Sequence, residues 1–379
     1  MPSLFDDESP LPIFRRDLEL YPGPEEVDGS PTFNLYDPIR AKFFKLTWAE
    51  ALIFQHHKQG MKLDDLAEDV EKTSAPYWSP STGDLLRAAG ATERLMELLD
   101  SRAATVGGTP VTRLLPKRAH RTVGPWCFAD HFGPVDLGPA PTRDGAMAVG
   151  PHPHIGLQTV TWLFAGEVLH TDSVGSEQLI RPGQLNLMSA GRGISHAEES
   201  PDDAAGEMHG LQLWVAQPDA TRWSEPEFQH LAELPVVEVG EATATVLVGE
   251  LAVARSSARA DWPMIGTDVV VRGEAEIPLD PAFEHAVFVI SGAPSVDGKS
   301  VPVGTTAYLA PGRSSVTFGG PARVVIVGGA PFESTIAMSW NFVARTTEEI
   351  DSAYADWAAA GARFGEVRSE LARIPAPAH

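Results

Sequence analysis

The sequence predicts a mainly β protein: two tandem antiparallel barrels with a C-terminal helix, preceded by a small α+β appendage. Three observations predict it. Short runs of β-branched and aromatic residues, broken by Gly and Pro turns, recur from Val111 onward. The series occurs twice, so an internal duplication is expected. Between Gly150 and Ser200 the chain carries two pairs of metal-competent residues, His152-Pro153-His154 and His196-Ala197-Glu198. Members of a pair at i and i+2 share a face only in an extended strand. The expected divisions are residues 1–105 for the appendage, 111–233 and 234–345 for the barrels, and 346–379 for the helix and tail.

In the appendage, Thr32–Tyr36 and Phe43–Leu46 read as paired strands turned by Asp37-Pro38. Thr47 and Glu50 have capping-box spacing before Trp48, Leu52 and Ile53; Leu63, Leu66 and Val70 mark a second helix. His56 and His57 are adjacent and diverge on a helix, which makes them surface residues. This order, over Leu11–Thr73, resembles the PqqD-like winged-helix module; a plain structural appendage is the competing reading. Asp84–Leu99 reads as helical on either side of Gly90, and Ala103–Pro110 as a linker.

The first barrel opens at Val111–Leu115. Thr122–Asp130 is the next strand, turned by His131-Phe132-Gly133-Pro134, with His131 either lining the site or bonded to backbone. Gly138–Met147 is a loop running into the first histidine pair, expected as a rim or a lid. After the first histidine pair, Gln158–Phe164 is a strand whose Trp162 and Phe164 pack the barrel wall. Turns at Ala165–Glu167 and Arg181–Gly183 separate the strands Val168–Ser173 and Gln184–Met188. His170, Asp172 and Ser173 cluster on one of these, either beside the site or on a hydrated face. Ala190–Gly193 is a corner that places His196 and Glu198. His209–Val215 closes the barrel, with Gln212 and Trp214 on one face.

Strands Ala244–Val248, Asp268–Val271, Ala286–Ile290 and Arg323–Val327 build the second barrel, with a hairpin at Asp297-Gly298. His285 is the only histidine from Glu233 to Ala378 and has no second histidine at i±2, so this barrel is expected to be metal-free. Thr346–Glu349 is a capping box before a stripe of Ile350, Tyr354, Trp357 and Ala358.

The formal net charge of −22 argues against direct nucleic-acid binding, which needs a basic face. A single cysteine, Cys127, excludes an intrachain disulfide and fits a reducing cytoplasm; it reads as a small buried hydrophobe. The acidic N-terminus is no secretory signal, and no apolar run reaches the ~20 residues needed to span a bilayer.

Three neutral imidazoles (His152, His154, His196) and the Glu198 carboxylate form a mixed N/O set suited to Fe(II), Mn(II), Ni(II), Cu(II) or Zn(II). Two positions of an octahedral ion would stay open for a bidentate oxygen pair, or for a substrate oxygen and O₂. Glu198 doubles as a candidate catalytic base. The motifs HPHIGLQTV, PGQLNLMSAGRGISHAEES and HGLQLWVAQP resemble the pirin family, a two-domain branch of the cupin superfamily, over Pro110–Ala355. That resemblance implies two jelly-roll cupin barrels and one iron, expected as Fe(II), held by His152, His154, His196 and Glu198. Gln158 stands where many cupins have Glu, and is expected to act around the ligands and not as one. The resemblance further implies quercetin 2,3-dioxygenase activity on a flavonol-like substrate with O₂. The alternative it carries is an iron-dependent, redox-sensing regulator that binds a transcription factor or metabolic enzyme. No membrane partner is expected.

Overall fold

The computed structural model describes residues 96–106, 108–118, 120–138, 147–201 and 204–377, with the backbone of Glu19–Pro22, Thr32–Asp37 and Lys42–Thr47. The chain divides into two units, Met1–Glu97 with Ala310–Arg313, and Leu98–Leu309 with Ser314–His379. In the first unit the three strands form an antiparallel sheet in chain order, with Thr32 opposite Thr47 and Asp37 opposite Lys42. The two predicted strands are present and a third joins them. The helices expected over 48–70, His56 and His57 among them, lie outside the described residues, as does most of the 138–147 loop.

Both barrels belong to the second unit, and each combines a large sheet with a small one. The first barrel's large sheet runs Glu227–Leu231, Leu185–Ser189, Leu157–Ala165, Glu207–Ala216, Trp126–Asp136, Thr109–Leu115 and Arg102–Val106. Its small sheet runs Glu177–Ile180, Val168–Asp172, Ile194–Glu199 and Ala148–His154. The second barrel repeats the scheme: Val236–Val239, Ala242–Val248, Met264–Val271, Ala322–Gly329, Glu284–Gly292 and Thr305–Leu309 lie side by side, opposite a four-stranded sheet that includes Glu274–Pro278 and Ser315–Gly319. The duplication is thus one of topology. Asp297 and Gly298 both take positive φ, the conformation a two-residue hairpin turn demands.

Three local readings change. Met96–Asp100 is a strand, so helix does not extend to Leu99; a run this short fits either hydrophobic period. Ala103–Pro110 is not a linker: Arg102–Val106 pairs with Thr109–Leu115 around Gly108 at φ 87°. Trp126–Asp136 runs straight through the turn expected at His131–Pro134. A register shift opposite Met208 and Gly210 takes up the Gly133-Pro134 step, where Pro is tolerated as it is at bulges.

The two barrels meet through a polar knot inside an apolar seam. The Trp126 indole donates to the carbonyls of Ile265 and Gly328, both 3.1 Å away. Gly124, at φ 54°, lies so close to Gly329 that a Cβ there would collide with backbone. Trp162 does not pack its own barrel's interior: its Nε1 donates to Asp268 across the seam at 3.0 Å. Arg323 grips the same carboxylate, with Nη2 at 2.5 Å, and lies 4.4 Å over the Phe164 ring.

The C-terminal segment returns to the first barrel. Thr346 caps helix α1 (Thr347–Ala358), accepting from the Glu349 N–H. Its buried stripe is Ile350, Ala353, Tyr354 and Trp357; Ala358 is exposed, one position beyond the face that packs. The stripe shares a cluster with Ile155, Phe342 and Phe364. Arg222 fixes the helix start with a bidentate bond to Glu349 at 2.9 and 3.1 Å. No helix among the described residues is long and apolar enough to cross a membrane.

Asp268 is 3% exposed and serves two donors, so Asp268→Ala strands both the guanidinium and the indole. Because the Arg323 side chain keeps 31% exposure, the expected loss is about 2–3 kcal/mol, below that of a fully buried pair. Thermal unfolding should show a midpoint lowered by several degrees, and Asp268→Asn should fall in between.

Candidate metal centre

The inner face of the small sheet brings the two predicted pairs together. Ala148–His154 is its edge strand, which is how it accommodates Pro151 and Pro153: an edge strand needs ladder donors on one side only. His196 stands opposite His152, and Ile194 opposite His154. The parity of each strand then aims His152, His154, His196 and Glu198 inward. Ligand nitrogens of His152, His154 and His196 lie within 4.8 Å of one another, and the same holds for the ligand atoms of His170, His196 and Glu198. His152, His154 and Glu198 line one cavity of about 450 Å³.

The hydrogen bonds decide which nitrogen each ring offers. His152 Nδ1 lies 2.9 Å from the Gly150 carbonyl, and His154 Nδ1 lies 3.0 Å from that of Asn341. A carbonyl only accepts, so each Nδ1 carries the proton and each Nε2 keeps its lone pair. His196 turns its Nδ1 toward His170 and its Nε2 toward His154 Nε2, 3.0 Å away. Burial holds the three imidazoles neutral: His152 is lowered to about 4, and His154 and His196 fall well below 6.5, with the neighbouring histidines adding to the effect. Converging lone pairs on neutral rings beside a buried carboxylate suit a cation. The donor set therefore fits a divalent transition ion.

Glu198 is 6% exposed, and burial raises its pKa. Thr161 Oγ1 lies 3.1 Å from Glu198 Oε1 and 3.0 Å from Gln212 Oε1. Thr161 was not legible as a site residue; strand parity was the available signal. Gln158, of opposite parity, donates instead to Ser189 on the adjacent strand at 2.8 Å and touches none of the four. Gln212 and Trp214 line the cavity as their alternation implies. Phe128 stacks on Trp214 at 4.1 Å, and Arg113, in a bidentate pair with Asp130, lies 4.6 Å over Phe128. His131 neither lines this cavity nor bonds backbone; its Nε2 meets His209 Nε2 at 2.7 Å. Cys127 is fully buried and its thiol is pushed up to about 12, which makes it inert. In the second barrel, His285 and Thr267 line an open recess of about 620 Å³, and no cluster of three metal-competent groups forms there among the described residues.

Two family profiles match this chain: Pirin over residues 108–215 and the Pirin C-terminal cupin domain over 264–365. The chain belongs to the pirin family. A Pseudomonas aeruginosa relative provisionally named quercetin 2,3-dioxygenase is 43% identical over 292 residues, 75% of this chain and 91% of the relative. Human pirin is 28% identical over 298 residues, 75% of this chain and 99% of its own. The crystal structure of quercetin 2,3-dioxygenase from Acinetobacter baumannii superposes with a TM-score of 0.72 at 41% identity, covering 76% of this chain and 97% of that one. These matches establish a pirin bicupin. They carry no counterpart of a PqqD-like module, so that resemblance is not borne out.

The buried histidines of this pirin give its metal-free form a defined acid response. His131 and His152 are each lowered to about 4, mainly by burial, from an ordinary value of 6.5. Between those limits the unfolded chain takes up protons that the native state refuses. Stability should therefore fall as pH falls from about 6.5 toward 4, seen as a declining denaturant midpoint. A flat midpoint across that window would mean the imidazoles titrate normally.

Proposed function

We propose that this pirin is a metal-dependent dioxygenase of the quercetin 2,3-dioxygenase type, using one Fe(II) and acting in the cytoplasm on a flavonol-like substrate with O₂. His152, His154, His196 and Glu198 would hold the ion. The observation that carries this reading is the set of buried, neutral histidines and Glu198, three of them (His152, His154 and Glu198) in the wall of a cavity with an aromatic face. When bound, the ion supplies a Lewis-acidic, redox-active centre.

The chain's own residues supply the rest. The cavity volume falls in the ~300–1,000 Å³ range of small-molecule sites. The stacked Phe128 and Trp214 rings offer a planar wall to a flat aromatic ligand. Glu198, raised by burial, is a better proton acceptor than an exposed carboxylate once ionised, and can take the hydroxyl proton of an entering flavonol. Thr161 holds its Oε1, which fixes the direction in which the carboxylate presents its other oxygen. The Arg113–Asp130 pair closes one side of the cavity and keeps it from being wholly apolar. The names of the Pseudomonas and Acinetobacter proteins support the substrate class.

The test uses metal-loaded protein, quercetin and an oxygen electrode. One metal ion per chain is expected, with oxygen-dependent loss of quercetin. Glu198→Gln should keep measurable metal and lose about 10²–10⁴-fold in turnover, as removal of a general base does. His152→Ala should lose metal and turnover together. Fully iron-loaded protein that consumes no oxygen with any flavonol would overturn the enzyme reading in favour of a regulatory role. Glu198→Gln at the unmodified rate would remove Glu198 as base.

A further inference from the structure

His170 and Asp172 sit on the strand beside His196, buried at 2% and 4% exposure, and take no part in the mechanism above. Asp172 is held on both oxygens. Its Oδ1 accepts from the backbone N–H groups of Val174 and Ser176 at 3.0 and 2.9 Å, and its Oδ2 lies 3.0 Å from His170 Nε2. His170 is held as well: Phe228 stacks on its ring at 4.5 Å and 17°. Its remaining nitrogen, Nδ1, lies 3.3 Å from His196 Nδ1.

We propose that Asp172 and His170 form a relay that sets which nitrogen of His196 faces the metal. The inference rests on the metal-centre reading and extends it to two positioning residues. An ionised carboxylate only accepts, so Asp172 draws the His170 proton onto Nε2. His170 Nδ1 is then an acceptor. His196 must answer with an Nδ1 proton, which leaves the lone pair on Nε2, the atom that faces His154 Nε2. His152 and His154 obtain the same result from backbone carbonyls, whose polarity is fixed. His196 alone depends on a partner that could point its proton either way. Asp172 removes that ambiguity, two hydrogen bonds from the metal position.

His170, His196 and Glu198 also approach one another closely enough to hold an ion themselves. The relay excludes His170 as a ligand, because its Nε2 is engaged by Asp172 and its Nδ1 by His196. The two assignments differ in what substitution does.

The test is a polarity reversal. In Asp172→Asn the two backbone N–H groups retain the carbonyl oxygen, so the amide NH₂ faces His170 Nε2. The His170 proton is driven to Nδ1, and two N–H groups then confront each other at His196. His170→Asn places a carbonyl oxygen near the former Nδ1, where it accepts from His196 whatever stands at position 172. Metal affinity is read by chelator competition on full-length protein with Zn(II) alone, and the midpoint potential on the iron form. Asp172→Asn should weaken binding about 10–100-fold and shift the potential positive. His170→Asn, and the double variant His170→Asn/Asp172→Asn, should stay near the unmodified values. Recovery in the double variant separates reversed polarity from a disturbed turn, which would persist. Unaltered affinity and potential in Asp172→Asn overturn the relay, as does a double variant as weak as Asp172→Asn. His170→Asn that loses metal as completely as His152→Ala would make His170 a ligand. Unmodified protein without metal affinity overturns the metal centre itself, whereas the relay test needs no flavonol and is independent of turnover.

Discussion

Each of His152, His154 and His196 turns a protonated Nδ1 away from the other two, and this requirement joins distant parts of the chain. A neutral ring has one donor and one acceptor, and burial leaves neither to water. Gly150 answers for His152 from two residues away. Asn341 answers for His154 from a segment that belongs, by sequence, with the second barrel. The convergence of Nε2 atoms therefore follows from how the shell around the rings is built. The cavity exists because two strands hold parity on one side, while the Phe128–Trp214 stack closes another.

The second barrel has the first barrel's topology without, among the described residues, its cluster of metal-competent side chains, and it meets the first through its surface. Asp268, Arg323 and the carbonyls of Ile265 and Gly328 receive the indoles of Trp162 and Trp126. A tryptophan N–H buried in an apolar seam needs such an acceptor, and supplying one from the other barrel makes the pairing specific as well as adhesive. The second barrel thus serves as a scaffold that keeps the large sheet of the first in place.

Local geometry is legible in the sequence, and tertiary pairing is not. The pairs His152/His154 and His196/Glu198 are visible because strand parity acts over two residues, and the barrel strands because turns and β-branched runs are local too. Gln212 and Trp214 follow from the same alternation. Thr161 reaches Glu198 from a strand on which Gln158 has the opposite parity and bonds Ser189, a pairing with no local signature. The His131–His209 contact joins residues 78 apart and leaves no local trace. The hairpin at Gly108 looks like a linker in sequence because a Gly-Gly step marks either one. At the far end, Ala353 and Ala358 both fit a stripe with Ile350 and Trp357, and only the packed partner distinguishes them.

The C-terminal strap also sets the order in which the protein can mature. Asn341 follows His154 by 187 residues, and the Ile374 N–H that bonds Pro151 on the proline-bearing edge strand comes later still. Ser195, beside His196, waits for the Phe364 carbonyl. A growing polypeptide can thus complete the first barrel's strands on the ribosome while His154 still lacks its acceptor and the edge stays uncovered. This segment acts as a clasp on the edge strand, so a proteolytic cut near Ile374 would disturb the centre more than its distance in sequence from His152 suggests.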